Sequence, residues 1–335
     1  MVNQFIDGEW TTDYDPTDTA GEFQRQPTSF RDRVSPEEVE AGRYHLYVSY
    51  ACPWAHRTLI TRALLGLEDV ISVDVVDPYR DDGGWRFTPE KAACTVDSIN
   101  GADYLREVYL EADSEYTGRV TVPVLWDREK ETIRNNESRE IMRNLTTAFA
   151  DAGNGIDLAP ETHREEIDRI LDEIYEPINN GVYRTGFAET QSAYDAAVTE
   201  LFDALERWDS VLADQRYLVG DRLTEADIAM YTTLVRFDEV YHTIPSTLRE
   251  VRPEYTDYRD TAWKQLTDFP NVYAYLRDLY QIDGFHETTH YSHISQHYDC
   301  PGSPPGMAPK FLPPEELSNR LLAPHNRERL TESET

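Results

Sequence analysis

The chain has 335 residues, 39% of them apolar, and a formal charge of −31 from 63 acidic and 32 basic side chains. That length suits two domains, each with its own core, and an acidic surface of this kind argues against nucleic acid or anionic lipid as a partner. No run approaches the roughly 18 apolar residues of a membrane span, and Met1–Asp7 lacks the basic and apolar regions of a signal peptide, so a cytoplasmic location is expected.

The basic minority includes only four lysines, Lys91, Lys130, Lys264 and Lys310. Such a surface resembles those of proteins adapted to high salt, where screening weakens self-repulsion. Cys52, Cys94 and Cys300 stand far apart, an odd and sparse set that makes no disulfide framework. No zinc-type Cys/His spacing occurs. His290, His293 and His297 have no acidic or thiol partners at fixed spacing and read as loop and helix-end residues, so no metal is expected.

In chain order, residues 1–42 are polar and turn-rich and read as an arm. Tyr44–Tyr50 alternates as a strand does. Pro53 then opens a helix, whose interior it would break but whose first turn tolerates it; Leu59, Ala63 and Leu64 share one side, and Gly66 is its stop. Val70–Val76 is a second strand, completing a βαβ unit. Residues 77–118, rich in Asp, Gly and Tyr, read as an irregular insertion. Val120–Asp127 reads as a strand with Pro123 near its start and Thr132–Arg134 as its hairpin partner. Asn136, Glu137 and Ser138 open a helix through Leu145.

From about residue 163 only helices are expected. Ile167, Ile170, Leu171 and Ile174 give one amphipathic face; Val198, Leu201, Leu205, Trp208 and Leu212 give a longer one. Thr224 and Asp227 have the spacing of a capping box, with Leu223 and Ile228 as a hydrophobic staple. A further helix covers Val272–Tyr280. The Pro-rich, charged tail after Cys300 reads as draped or frayed. The expected domains are thus a thioredoxin-like unit over 43–150 and an all-helical unit over 163–298, flanked by the arm and a tail over 299–335.

The chemistry concentrates at Cys52, between a strand end and a helix start. Backbone N–H groups at a helix N-terminus favour negative charge, so a thiol placed there is held as the nucleophilic thiolate. His56 and Arg57 follow within about a turn. The motif is Cys-Pro-Trp-Ala, not Cys-x-x-Cys. With no resolving cysteine in the motif, an intermediate disulfide must be cleared by an external thiol, which points to small-molecule thiol chemistry. Val122-Pro123 is a second candidate element: a cis peptide there would present backbone N–H and C=O groups to an extended thiol peptide. Glu137 and Ser138, at a helix start, could hold the zwitterionic end of a γ-glutamyl group or could simply cap the helix. Trp85, on the loop formed by Asp81, Asp82, Gly83 and Gly84, is placed like a ligand-facing aromatic.

Tyr50-Ala51-Cys52-Pro53-Trp54-Ala55-His56-Arg57, Gly84-Trp85-Arg86-Phe87, Arg119–Asp127, Asn135-Asn136-Glu137-Ser138, Asn179-Asn180-Gly181-Val182-Tyr183 and Tyr217–Asp227, in this order, resemble the glutathione transferase superfamily, and specifically its Xi class, the glutathionyl-hydroquinone reductases. The resemblance runs from about Gly42 to Tyr298. It implies a thioredoxin-like N-terminal domain, a helical C-terminal domain and a homodimer. It also implies that Cys52 attacks the sulfur of a glutathionyl-hydroquinone, that the hydroquinone leaves, and that a second thiol clears the mixed disulfide. By position, Trp85, Arg119, Val122 with Pro123, Glu137 and Ser138 would hold the thiol peptide. Tyr183 and Tyr298 would line the aromatic pocket and supply a proton to the departing carbon. Asp299 stands where the family pattern continues with a second Tyr, and the stretch after Cys300 departs from the family's usual tail.

No permanently bound cofactor is expected, only a co-substrate thiol: glutathione or, in a salt-loving microbe, γ-glutamylcysteine, which keeps the γ-glutamyl group and the sulfur. Two other readings stay open. One is a general Cys-type thiol transferase, such as a deglutathionylase or dehydroascorbate reductase. The other is a non-catalytic, transferase-like binding module. A conjugating transferase would instead want Ser or Tyr in place of Cys52.

Overall fold

The computed structural model describes residues 2–241, 264–298 and 312–331. By packing they form two compact units: Met1–Pro16, Arg25–Asp157 and Thr288–His297 make the first, and Thr17–Gln24, Leu158–Glu287 and Tyr298–Thr335 make the second.

The first unit begins with an antiparallel hairpin, β1 (Val2–Ile6) and β2 (Glu9–Tyr14). Its core is a four-stranded sheet. Strand β3 (Tyr44–Val48) leads into α1 (Pro53–Leu64), and β4 (Ser72–Val75) returns parallel to β3. After the short hairpin β5 (Arg80–Asp81) and β6 (Gly84–Trp85) comes α2 (Leu105–Ala112). Strands β7 (Val124–Asp127) and β8 (Thr132–Asn135) form an antiparallel pair that leads into α3 (Ser138–Thr147). The order β4-β3-β7-β8, with β7 antiparallel to β3, is the mixed sheet of a thioredoxin-like domain. Helix α3 buries Ile141, Met142 and Leu145 and packs against α1.

Strand β3 lies where the alternation places one, and all five of its residues are buried. Two other sequence expectations change. The strand expected from Val120 begins only at Val124, after a cis Val122–Pro123 peptide; proline has no N–H to give to a ladder. The segment 77–118 is not irregular throughout. It holds β5, β6 and α2, and α2 buries Leu105, Val108 and Tyr109. An eight-residue helix shows too few turns for its period to stand out in sequence.

The arm is ordered structure as well. Phe5 and Gly118 exchange backbone hydrogen bonds of 2.9 and 3.0 Å, and the Trp10 indole donates to the Asp82 carbonyl at 2.8 Å. Further on, Phe30 and Asn136 pair through Asn136 N–H to Phe30 O at 3.0 Å and Phe30 N–H to Asn136 Oδ1 at 3.2 Å.

The second unit is helical. Its main helices are α4 (Arg164–Ile174), α5 (Gly181–Gly186), α6 (Gln191–Val211), α7 (Glu225–Leu234) and α8 (Pro270–Tyr280). Helix α7 is buried on every side, and Asp227 in its first turn is fully enclosed. The Asp227 carboxylate accepts from Leu218 N–H (2.9 Å), Thr224 N–H (2.8 Å), Thr224 Oγ1 (3.1 Å) and Tyr275 Oη (2.7 Å). Burial outweighs these bonds and pushes its pKa up to about 6. Helix α9 (Tyr291–Tyr298) follows, its residues through His297 belonging to the first unit. The described end of the tail is anchored rather than frayed: α10 (Pro314–Leu321) buries Leu317 and Leu321, and buried Arg327 donates to the carbonyls of Leu212, Gln215 and Arg216. Asp299 and Cys300 lie outside the described residues. Among those described, no helix is long and apolar enough to cross a membrane.

Candidate active site

Cys52 is the N-cap residue of α1, in extended backbone geometry, with Pro53 immediately inside the helix. Pro53 forfeits nothing there, since a first-turn N–H has no partner within the helix. The Cys52 thiol is half-exposed, and its sulfur lies 3.6 Å from the Val122 carbonyl oxygen, to which the S–H donates. The cis Val122–Pro123 peptide thus stands directly against the thiol.

The start of α3 lies beside the start of α1. Arg57 Nη1 donates to Ser138 Oγ at 3.4 Å, and the Arg57 and Arg25 guanidinium carbons lie 4.5 and 4.8 Å from the Trp54 ring centroid. Glu137 is the N-cap of α3. One of its oxygens accepts from Arg139 N–H at 3.4 Å and the other from Thr28 Oγ1 at 3.3 Å. Tyr109 ties these pieces together: its phenol donates to Thr121 O at 2.9 Å and accepts from Asn136 Nδ2 at 3.1 Å. Thr121, just ahead of the cis Val122–Pro123 pair, and Asn136, just ahead of Glu137, are therefore fixed to one buried ring. Sequence reading passed over Tyr109 and Thr28, which sit in segments taken for insertion and arm.

Trp85 is held on the β5–β6 hairpin opposite Arg80. Gly84 makes that turn possible: its φ is +94°, and a Cβ there would stand 3.3 Å from the Trp10 ring. Trp85 is buried and stacks on His297, with centroids 5.5 Å apart. His297 Nδ1 lies 2.6 Å from the Pro78 carbonyl, which can only accept, so Nδ1 carries the proton. His293 Nε2 donates likewise to Ala92 O, and His290 stacks on Tyr50 with centroids 3.7 Å apart. Among the described residues no group of three or more His, Cys, Asp or Glu is placed to hold a metal. Arg119 is half-buried, and its carbonyl accepts from the Tyr116 phenol at 3.0 Å. Cys94 is buried against Val76 O, and burial pushes its thiol up, which disfavours the reactive thiolate.

In the second unit, Tyr183 and Tyr298 come together, joined by a tyrosine that sequence reading missed, Tyr241. The Tyr183 phenol oxygen lies 3.3 Å from that of Tyr241 and 3.4 Å from that of Tyr298. Tyr241 is fully buried, and burial, with the neighbouring phenols, holds it well above the ordinary value of 10.0. It therefore stays protonated near neutrality. The Asn-Asn-Gly-Val-Tyr motif has a positional reason. Asn179 Nδ2 donates to Ala229 O (3.0 Å) and Thr233 Oγ1 (2.9 Å) of α7, which pins the turn before α5. At Gly181 a Cβ would sit 3.2 Å from Glu176 O. Phe23 and Phe187 flank Tyr183, with centroids 6.5 and 6.3 Å away, as an aromatic wall.

The structure thus assembles Cys52, Val122 and Pro123 with the Glu137–Ser138 helix start, and separately Tyr183 with Tyr298. The glutathione S-transferase N-terminal domain model matches residues 51–148, and the C-terminal domain model matches residues 191–278. The chain is 44% identical over 313 residues to glutathionyl-hydroquinone reductase YqjG of Escherichia coli (strain K12), covering 89% of this chain and 90% of that one. A solved Xi class glutathione transferase from Natrialba magadii is 51% identical, with a TM-score of 0.83 over 98% of this chain and 97% of that one. The glutathione-bound structure of YqjG is 40% identical, with a TM-score of 0.78 over 89% of this chain and 96% of that one. Identity of this degree, sustained over nearly the full length of both chains, means that the protein belongs to the glutathione transferase superfamily, in the Xi class that includes the glutathionyl-hydroquinone reductases.

Proposed function

We propose that this chain is a thiol-dependent reductase that cleaves the thioether of glutathionyl-hydroquinones. The observation that carries the reading is the half-exposed Cys52 thiol at a helix N-cap, against a cis-proline peptide and with no second cysteine in its motif. The Cys52 thiolate attacks the thioether sulfur. The sulfur–carbon bond breaks with its electron pair going to the ring carbon, and that carbon takes a proton. A phenol of the Tyr183, Tyr241 and Tyr298 set supplies it, Tyr183 acting as donor. Cys52 is left as a mixed disulfide. A second thiol attacks this disulfide, releasing a symmetric disulfide and the Cys52 thiolate. The ring carbon is reduced, and the thioether sulfur and one external thiol are oxidised together to the disulfide, so the electrons balance.

The thiol peptide is held by Trp85, Arg119, the Val122–Pro123 backbone, Glu137 and Ser138. Glutathione is the co-substrate; γ-glutamylcysteine, which keeps the group gripped by Glu137 and Ser138, also serves. The enzyme works as a cytoplasmic homodimer with no permanently bound cofactor, and its charge suits a salt-rich cell. The test is hydroquinone release from a glutathionyl-hydroquinone by wild type and Cys52→Ala. Release that requires Cys52 is expected. A wild type that forms the mixed disulfide but releases no hydroquinone would turn the reading to a general thiol transferase. An absolute requirement for the glycine of the thiol would remove γ-glutamylcysteine.

A further inference from the structure

Residues Thr17–Gln24 stand in the N-terminal arm, yet they pack with the helical unit. They close on themselves as a loop. Thr17 and Phe23 pair as an antiparallel bridge, and Asp18 N–H donates to Glu22 O at 3.0 Å. The Asp18 carboxylate accepts from Ala20 N–H (2.9 Å), Glu22 N–H (3.0 Å) and Gln24 Nε2 (2.9 Å). The loop docks on the turn between α5 and α6. Gly21 O accepts from Glu189 N–H at 2.8 Å, and Ala20 O accepts from the Thr190 hydroxyl at 2.9 Å. Thr190 also caps α6, accepting from Ala193 N–H at 3.3 Å, so the loop is fixed to the start of a long helix. Position 21 has to be glycine for this contact: its φ is +79°, and a Cβ there would stand 2.8 Å from Thr190 Cγ2.

The docking delivers one aromatic ring. Tyr183 lies in α5 and Phe187 is its C-cap, one turn on, with the two rings 10° from parallel. The loop brings Phe23 to 5.5 Å from Phe187 and 6.5 Å from Tyr183, centroid to centroid, at interplanar angles of 31° and 28°. Rings from two separate segments thus turn roughly parallel faces to one place. They are not sealed into the core: Phe187 keeps 45% of its surface exposed, and Phe23 and Tyr183 are half-exposed. Grouped aromatic faces left open to water mark a place where a flat apolar ring is received. We propose that the 17–24 loop is part of the substrate site, and that Phe23 is a specificity-determining residue that selects the size of the aromatic ring offered to Tyr183. This rests on the reading of the chain as a glutathionyl-hydroquinone reductase. The α5 pair, Tyr183 and Phe187, serves a single hydroquinone ring; the face added by Phe23 serves a second, fused ring.

The experiment measures kcat/KM on the glutathionyl thioethers of a one-ring benzohydroquinone and a two-ring naphthohydroquinone. It compares wild type, Phe23→Leu, Phe23→Tyr and Gly21→Ala, with melting temperatures alongside. The ratio of the two values within one variant cancels any loss of folded enzyme. Phe23→Leu keeps an apolar side chain but no flat face. It should lower the two-ring to one-ring ratio about fivefold, through KM for the two-ring substrate, and Phe23→Tyr should restore it. Gly21→Ala should move the ratio in the same direction by displacing the loop. A merely structural loop would lower the melting temperature in Phe23→Leu and Gly21→Ala and leave the ratio at its wild-type value. That result, or a fall that tyrosine does not restore, overturns the proposal while leaving thioether cleavage as the activity. A wild type that releases hydroquinone from neither thioether removes the proposed function and this inference together.

Discussion

The two candidate clusters, one in each unit, are built by different means. Around Cys52 the cluster is largely backbone: a helix N-cap, a cis peptide and a second helix start, brought together by neighbouring elements of one sheet. In the helical unit three phenols, from positions 183, 241 and 298, come together, with those of 241 and 298 lying 3.3 and 3.4 Å from that of Tyr183. Backbone geometry is set by local sequence, whereas a cluster of side chains depends on long-range packing. On the proposed reading the two clusters should therefore fail differently, one through the sulfur and the other through the carbon.

Removing the sulfur breaks both chemistries at once. Cys52→Ser should lower thioether cleavage by about a thousandfold or more, and should abolish exchange with glutathione disulfide, in coupled assays of each. Tyr183→Phe should separate the two chemistries. Cleavage of the thioether needs a proton on carbon and should fall about a hundredfold, while attack on glutathione disulfide, whose leaving group is a thiolate, should keep its rate. Tyr241→Phe should show the same separation at about a tenfold smaller effect, because Tyr241 is hydrogen-bonded to the proposed donor Tyr183; steady-state kcat on the two substrates checks it.

Asp227 sharpens the comparison through stability. It fixes the first turn of α7, and α7 holds Asn179 ahead of Tyr183. Asp227→Ala leaves the Tyr275 hydroxyl and two backbone N–H groups without their acceptor, at a cost of about 3 kcal/mol. Thioether cleavage should suffer more than disulfide exchange. The pH dependence has a definite sign. Folded Asp227 keeps its proton up to about pH 6, whereas the unfolded chain releases it near 3.8. The folded state therefore binds more protons between these values, and the Asp227 contribution is present below the lower value and lost as pH rises through the upper. Urea midpoints of Asp227→Asn should accordingly gain on wild type as pH rises across that window. Gly84→Ala gives the smallest change: a strained φ and a crowded Trp10 ring should cost about 1 kcal/mol and raise KM for the thiol, with kcat little altered.

The same contrast explains what could be read from the chain. The strand, Cys52-Pro53 and the following helix are contiguous, so alternation, a first-turn proline and helical spacing locate them directly. The capping box at Thr224 and Asp227 is equally local, and the structure has it. Tyr241 carries no local mark among 21 tyrosines; only the folding of α5 and the chain after α7 brings it to Tyr183. Tyr109 and Thr28 were missed for a related reason. One lies on an eight-residue helix inside an Asp- and Gly-rich segment, and the other in the polar arm whose order comes from pairing with Asn136 and Gly118.

The division of labour is tested most directly by a single-turnover experiment on Tyr183→Phe, following the Cys52 mixed disulfide by intact mass with either a glutathionyl-hydroquinone or glutathione disulfide as substrate. Mixed disulfide should form at the wild-type rate from glutathione disulfide and about a hundredfold more slowly from the thioether. Equal slowing on both substrates would contradict the account, because Tyr183 would then serve the thiol chemistry and not the departing carbon.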